Sequence, residues 1–147
     1  MLFRSVAGIG LGAEAGFLTG AMTGFVSNFF FGQGPWTPWQ MFAFGVIGFL
    51  AGLLFEKRIR RGHIPLIGVC IYGFLATVVI YGLLMDTSTA LFVLDGLTWQ
   101  SALACYVAGF PVNVIHGIST VVFLLLCAKP MLKKIRRMRK KYGLLME

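Results

Sequence analysis

Three long stretches of this chain contain no Asp, Glu, Lys or Arg: Ala15 to Phe55, Gly62 to Met85 and Gly96 to Ala128, of 41, 24 and 33 residues. A helix needs about 20 mostly apolar residues to cross a bilayer. The first stretch is therefore two spans and each of the others is one. Gly32-Gln33-Gly34-Pro35 divides the first, because glycine and proline favour a turn over a helix interior. The sequence thus predicts an all-α bundle with helices at Ala15 to Phe31, Trp36 to Phe55, Ile64 to Leu84 and Ser101 to Ala128. Gly109 and Pro111 are expected to kink the last of these.

Composition agrees with lipid as the solvent. The chain is 58% hydrophobic and 12% charged, with mean hydropathy +0.84, whereas soluble domains average roughly 25% charged residues. An ordinary soluble globule is excluded.

The formal charge of +8 raises the question of nucleic acid, and the placement of the 13 basic residues answers it. Arg4 stands alone, Lys57, Arg58, Arg60 and Arg61 form a second group, and the other eight lie between Lys129 and Lys141. An even number of spans puts all three groups on one side of the membrane, and the positive-inside rule makes that side cytoplasmic. The opposite side then holds the Gly32–Pro35 turn and a loop from Asp86 to Gln100. Residues 1–128 form a membrane domain and 129–147 a cytoplasmic tail. Met131, Ile135, Met138 and Tyr142 would make that tail a basic amphipathic helix suited to anionic lipid rather than nucleic acid. Met1 to Leu11 lacks the apolar core of a signal peptide. Val6 to Leu11 reads as the last turns of a helix, from which an open reading frame lacking its start is expected.

Three patterns bear on function. Gly8, Gly12, Gly16, Gly20 and Gly24 recur every four residues, and Gly45, Gly48 and Gly52 repeat the theme. Small residues on one helix face let backbones approach closely in lipid, either within the bundle or against another subunit. The segment Ser27 to Met41 mixes aromatic and amide side chains. Trp36, Trp39 and Trp99 suit interfacial anchoring, while Asn28, Gln33 and Gln40 could line a ligand pocket with the aromatic rings. Asn113, His116 and Thr120 are spaced to share a face within the last span, where polar groups mark either a site or interhelical hydrogen bonds. Cys70, Cys105 and Cys127 stand singly, without metal-site spacing. No phosphate-binding loop and no H-E-x-x-H motif occurs, so any ATP hydrolysis belongs to another subunit.

The run S-N-F-F-F-G-Q-G-P-W-T-P-W-Q-M-F-A-F-G at Ser27 to Gly45, with G-F-P-V-N-V-I-H at Gly109 to His116 and A-K-P-M-L-K-K-I at Ala128 to Ile135, resembles the substrate-binding S components of energy-coupling factor (ECF) transporters. The branch linked to cobalamin is the most similar. The resemblance implies a six-helix fold, of which four full spans and the end of a preceding helix are present here. It also implies capture of a vitamin from outside, toppling within the membrane, and partnership with a transmembrane coupling subunit and two ATPase subunits. Carried onto this sequence, it implies ligand contacts from Asn28, Gln33, Trp36, Trp39 and Gln40, from Tyr81, Asp86 and Trp99, and from Tyr106 and Asn113. Neither a cofactor, a metal nor a catalytic residue is implied. Riboflavin and thiamine remain open beside cobalamin. A glycine-mediated oligomeric channel or scaffold is the alternative from another class. An intramembrane enzyme ranks last, for want of paired carboxylates or a nucleophile and base within the spans.

Overall fold

The computed structural model describes residues 2–61, 63–93 and 98–142. Asp95 of the expected outer loop and residues 143–147 of the tail lie outside the described residues. Six α-helices succeed one another: α1 (Leu2–Leu11), α2 (Ala13–Phe31), α3 (Thr37–Arg60), α4 (Leu66–Leu75), α5 (Gly82–Val93) and α6 (Trp99–Lys141). A π-helical segment, Ala76–Tyr81, joins α4 to α5 without a break. Among the described residues there is no strand.

Three helical stretches are long and apolar enough to cross a membrane: Thr37–Ile59, Leu66–Phe92 and Trp99–Lys141. The first expected span, observed as α2, has 19 residues but is not among them. Glu14, Asn28 and its glycines and threonines dilute its apolar side chains. Large apolar side chains face outward throughout; Ile67, Val107 and Leu126 are all well exposed, as expected where the surroundings are lipid.

The glycine pattern does not occupy one helix face. Gly12 adopts φ 116°, a backbone region that side chains with a Cβ avoid. There α1 ends and the chain doubles back as α2. Gly8 on α1 and Gly16 on α2 both press on the Gly48 carbonyl, and Gly20 presses on that of Phe44. A Cβ at Gly52 would stand 2.5 Å from the Ala13 Cα, and one at Gly24 would stand 3.2 Å from the Met41 Cα. The α1–α2 hairpin therefore lies backbone to backbone on α3. Such contacts gain dispersion and weak Cα–H···O attraction that any larger residue would forfeit.

This hairpin relocates Arg4. Gly12 lies beside Glu56, Gly8 beside Gly48 and Arg4 over Phe44, so α1 runs alongside α3. Arg4 is buried inside the bundle, two turns from the start of α3, rather than beside the Lys57–Arg61 group as the even-span argument expected. That argument counted only full spans. α1 runs back along α3 from the bend at Gly12, which carries Arg4 to the depth of Phe44.

The last helix also differs. α6 runs unbroken through Pro111 and Pro130 to Lys141, and no change of element marks residue 128. The Thr98 side chain accepts from the Ser101 N–H while Ser101 returns the bond, a capping box that starts the helix. Its buried stripe is Asn113, Gly117, Thr120, Leu124, Ala128 and Leu132. Met138 and Tyr142, expected on the apolar face of the tail, are exposed, and so is His116. Burial is set by the packing of α6 against α4 and α1: Leu124 and Thr120 fit over Gly73, and Ile135 fits over Gly10.

At the basic end, Arg139 Nη1 donates to the Gly10 carbonyl at 2.8 Å and lies 3.6 Å from the Glu56 carboxylate. The tail and the Lys57–Arg61 group thus share one end of the bundle. The core there unites Val6, Ile9, Phe55, Ile59, Val69, Leu124, Ala128 and Leu132. Tyr72 crosses it to donate to the Ile47 carbonyl at 2.6 Å.

Gly48→Ala is expected to lower the thermal unfolding midpoint in detergent, since a Cβ there would overlap the Gly16 backbone; overpacking costs about 1–3 kcal/mol. An unchanged midpoint would show that the hairpin does not rest on Gly48.

Candidate functional site: two polar clusters on an aromatic stack

Polar side chains collect in two places toward the end opposite the basic loop. The first is the turn between α2 and α3, and Thr37, which sequence reasoning passed over, is its hub. Its Oγ1 accepts from Asn28 Nδ2 at 3.1 Å and from the Gly34 N–H at 3.2 Å, and donates to Gln33 Oε1 at 3.2 Å. The Gly32 N–H caps α2 on the Asn28 carbonyl at 2.9 Å, and the Thr37 N–H closes the turn on Gly34. Asn28 and Thr37 are both buried. Their groups are thus spent on holding the turn, a use that a composition of amides and rings does not reveal. Trp36 folds over Gly34 and stays exposed. Trp39 is half-buried, beside Pro38 and Phe42. Gln40 has its Oε1 buried with no hydrogen-bond partner.

The second cluster lies between α5 and α6. Asn113 Nδ2 donates to Asp86 Oδ2 at 3.1 Å. Two glycines make this possible. A Cβ at Gly82 would come within 2.8 Å of Asn113 Nδ2, and one at Gly109 within 2.5 Å of Asp86 Oδ1. Thr87 donates to the Leu83 carbonyl at 2.6 Å, so the Tyr106 hydroxyl, 2.8 Å away, donates to Thr87. Asp86 therefore lies within a helix and not in an outer loop as expected. The Thr87, Ser88 and Thr89 hydroxyls bond back to carbonyls of the preceding turn, which lets this polar stretch stay helical.

Between the clusters runs an aromatic stack. Phe44 and Tyr81 lie nearly parallel, with centroids 5.3 Å apart, and the His116 ring is 6.5 Å beyond Tyr81. The Arg4 guanidinium caps the other side, 3.3 Å from the Phe44 centroid. Tyr81 is the last residue of the π-helical segment. A widened turn shifts the register of the helix beyond it and recurs at functional sites. Thr77 in the same segment donates to the Gly73 carbonyl and reaches Thr120 Oγ1 at 3.4 Å.

The structure therefore brings together Tyr81, Asp86, Tyr106 and Asn113 from the expected ligand residues, and adds Phe44, Thr87 and Arg4. Trp99 is 84% exposed at the start of α6 and joins neither cluster. Arg4 and Phe44 escaped the sequence reading because their meeting depends on the α1–α2 reversal. A groove of about 860 Å³ along α2, lined by Leu18, Met22, Val26, Phe30 and neighbouring hydroxyls, holds none of the expected ligand residues. Among the described residues no group of His, Cys, Asp and Glu could hold a metal ion.

A site of stacked rings, an amide and a carboxylate inside a helical bundle suits binding of a small conjugated molecule, with no group arranged as nucleophile and base. A family model described as ECF-type riboflavin transporter, S component, matches residues 1–134. The chain belongs to this family. No curated protein and no solved structure gives a match. S components are the substrate-specific membrane subunits of ECF transporters; they are transport subunits and not enzymes, and they work with an ECF transmembrane subunit and ATPases.

Thr37→Val in this S component removes an acceptor for two donors and leaves the buried Asn28 amide unpaired. A stability loss of about 1–3 kcal/mol is expected in denaturation, largely restored by Thr37→Ser. Equal loss in the valine and serine variants would show that the hydroxyl is not the hub.

Proposed function

We propose that this S component captures a vitamin with a flat conjugated ring system at the end of the bundle opposite its basic loop, and delivers it to a coupling subunit and two ATPase subunits for uptake. The observation that carries this reading is the Tyr81 ring, backed by Phe44, beside the Asp86–Asn113 hydrogen bond, which offers an aromatic face and a hydrogen-bonding edge within one region. Tyr81, Tyr106, Asp86 and Asn113 contact the ligand. Trp36, Trp39, Gln40 and Trp99 form its rim, and Asn28 and Gln33 act by holding the turn through Thr37.

Riboflavin is the first candidate, since the matching family is named for it. Cobalamin is the second, favoured by the resemblance of Ser27 to Gly45 to the cobalamin-linked branch. Because Lys57, Arg58, Arg61 and the basic turns of α6 share one end, the positive-inside rule turns that end and the C-terminus to the cytoplasm. The glycine faces are spent on the α1–α2 hairpin and α3 and leave little for self-association, which weighs against an oligomeric channel.

Titration of the purified chain with riboflavin and with cobalamin, monitored by quenching of its tryptophan fluorescence, tests the proposal. One of the two is expected to bind, and Tyr81→Ala to weaken that binding by about tenfold, the loss of roughly 1.4 kcal/mol of stacking. Absence of binding by both vitamins, or an unchanged affinity in Tyr81→Ala, would refute it.

A further inference from the structure

Among the described residues, Arg4 is a buried cation without an anion. Its side chain is 5% exposed, and its Nε and Nη1 have no hydrogen-bond partner. Among the described residues the one ion pair belongs to Arg139 and Glu56, at the far end of the bundle. What holds Arg4 is the face of Phe44, at 3.3 Å. Stacking of that kind occupies the flat face of a guanidinium and leaves its N–H groups, which point outward in its plane, free to donate. A buried charge left unpaired costs several kcal/mol, so the arrangement is suited to a counter-charge that arrives from outside the chain.

The position of Arg4 says where that charge would come from. Phe44 is seven residues past the start of α3 at Thr37, which is roughly 10 Å along the helix. Its ring is shared between Arg4 and Tyr81. Gln40, one turn nearer the end of the bundle, also carries a buried, unpartnered oxygen. The unmet hydrogen-bonding capacity at this depth thus adjoins the aromatic stack.

We propose that Arg4 is an anion-recognising residue of the ligand site, and that the ligand this S component takes carries a phosphate or similar anionic oxygen group alongside its ring system. The inference rests on the vitamin-capture reading above. Charge-assisted bonds from a guanidinium to such a group are about twice as strong as neutral ones, and here they would form away from bulk water. They would select the phosphorylated or phosphodiester-bearing form of a ring-bearing vitamin over its uncharged form.

The test uses three probes on the purified full chain: riboflavin, which is uncharged, and riboflavin 5′-phosphate and cobalamin, which carry a phosphate monoester and a phosphodiester. At least one anionic probe is expected to bind, and Arg4→Gln to weaken that probe by at least about tenfold, and by more than it weakens any riboflavin binding. The same variant without ligand is expected to keep or raise its unfolding midpoint, because it removes an unpaired buried charge. The proposal is overturned if Arg4→Gln leaves the anionic probe's affinity unchanged, or if riboflavin loses as much. It is equally overturned if the ligand-free variant melts more than about 4 °C lower, the mark of a structural role. If none of the three probes binds the unaltered chain, the vitamin-capture reading itself has failed, and that is seen before any variant is compared.

Discussion

The seating of the α1–α2 hairpin depends on how closely backbones approach at Gly48. Lipid offers no hydrophobic drive for helices to associate, so contact must come from packing and from polar groups that find partners. Gly8 and Gly16 reach the same carbonyl from the two arms of a hairpin whose bend at Gly12 only glycine readily adopts. Because the hairpin is seated on α3, Arg4 arrives over Phe44 and Asn28 arrives at Thr37. The glycines of the other half serve the same end: Gly82 and Gly109 admit the Asn113–Asp86 hydrogen bond.

The bundle is divided along its length. Toward the basic end, Val6, Ile9, Phe55, Leu124 and Leu132 make a core without buried polar side chains, closed by the Arg139 clasp on Gly10 and Glu56. Toward the other end the buried side chains include the polar Asn28, Thr37, Ser88 and Asn113, with Arg4 and the aromatic stack between. A polar interior inside lipid is costly and has to be satisfied or put to use. Most of these groups satisfy one another. The exceptions among the described residues are Arg4, Ser5 and Gln40.

The all-α class and three of the four expected spans were legible because the absence of charge over a bilayer's thickness admits few other readings. Tyr81, Tyr106, Asp86 and Asn113 were legible as polar or aromatic residues in or beside the last two expected spans. What escaped were features set by geometry that spacing does not encode. Five glycines at intervals of four read as one face, yet a single positive φ at Gly12 divides them between two helices. The π-helical segment adds a register shift ahead of Asp86, and hydroxyl back-bonding extends the helix past it. Arg4 was assigned to the basic side by a rule that counts charges against full spans, and the rule does not see the reversal at Gly12 that lays α1 along α3. Thr37 carries no signal of its own, because a threonine becomes a hub only when the turn closes around it.

An experimental structure of the full chain bound to its vitamin addresses the central claim most directly. The account expects the ligand's ring system against Tyr81, with the Asp86–Asn113 pair on its edge and the Arg4 guanidinium within hydrogen-bond distance of a ligand oxygen. A ligand seated instead in the apolar groove along α2, with Arg4 still unpartnered beneath Phe44, would contradict it.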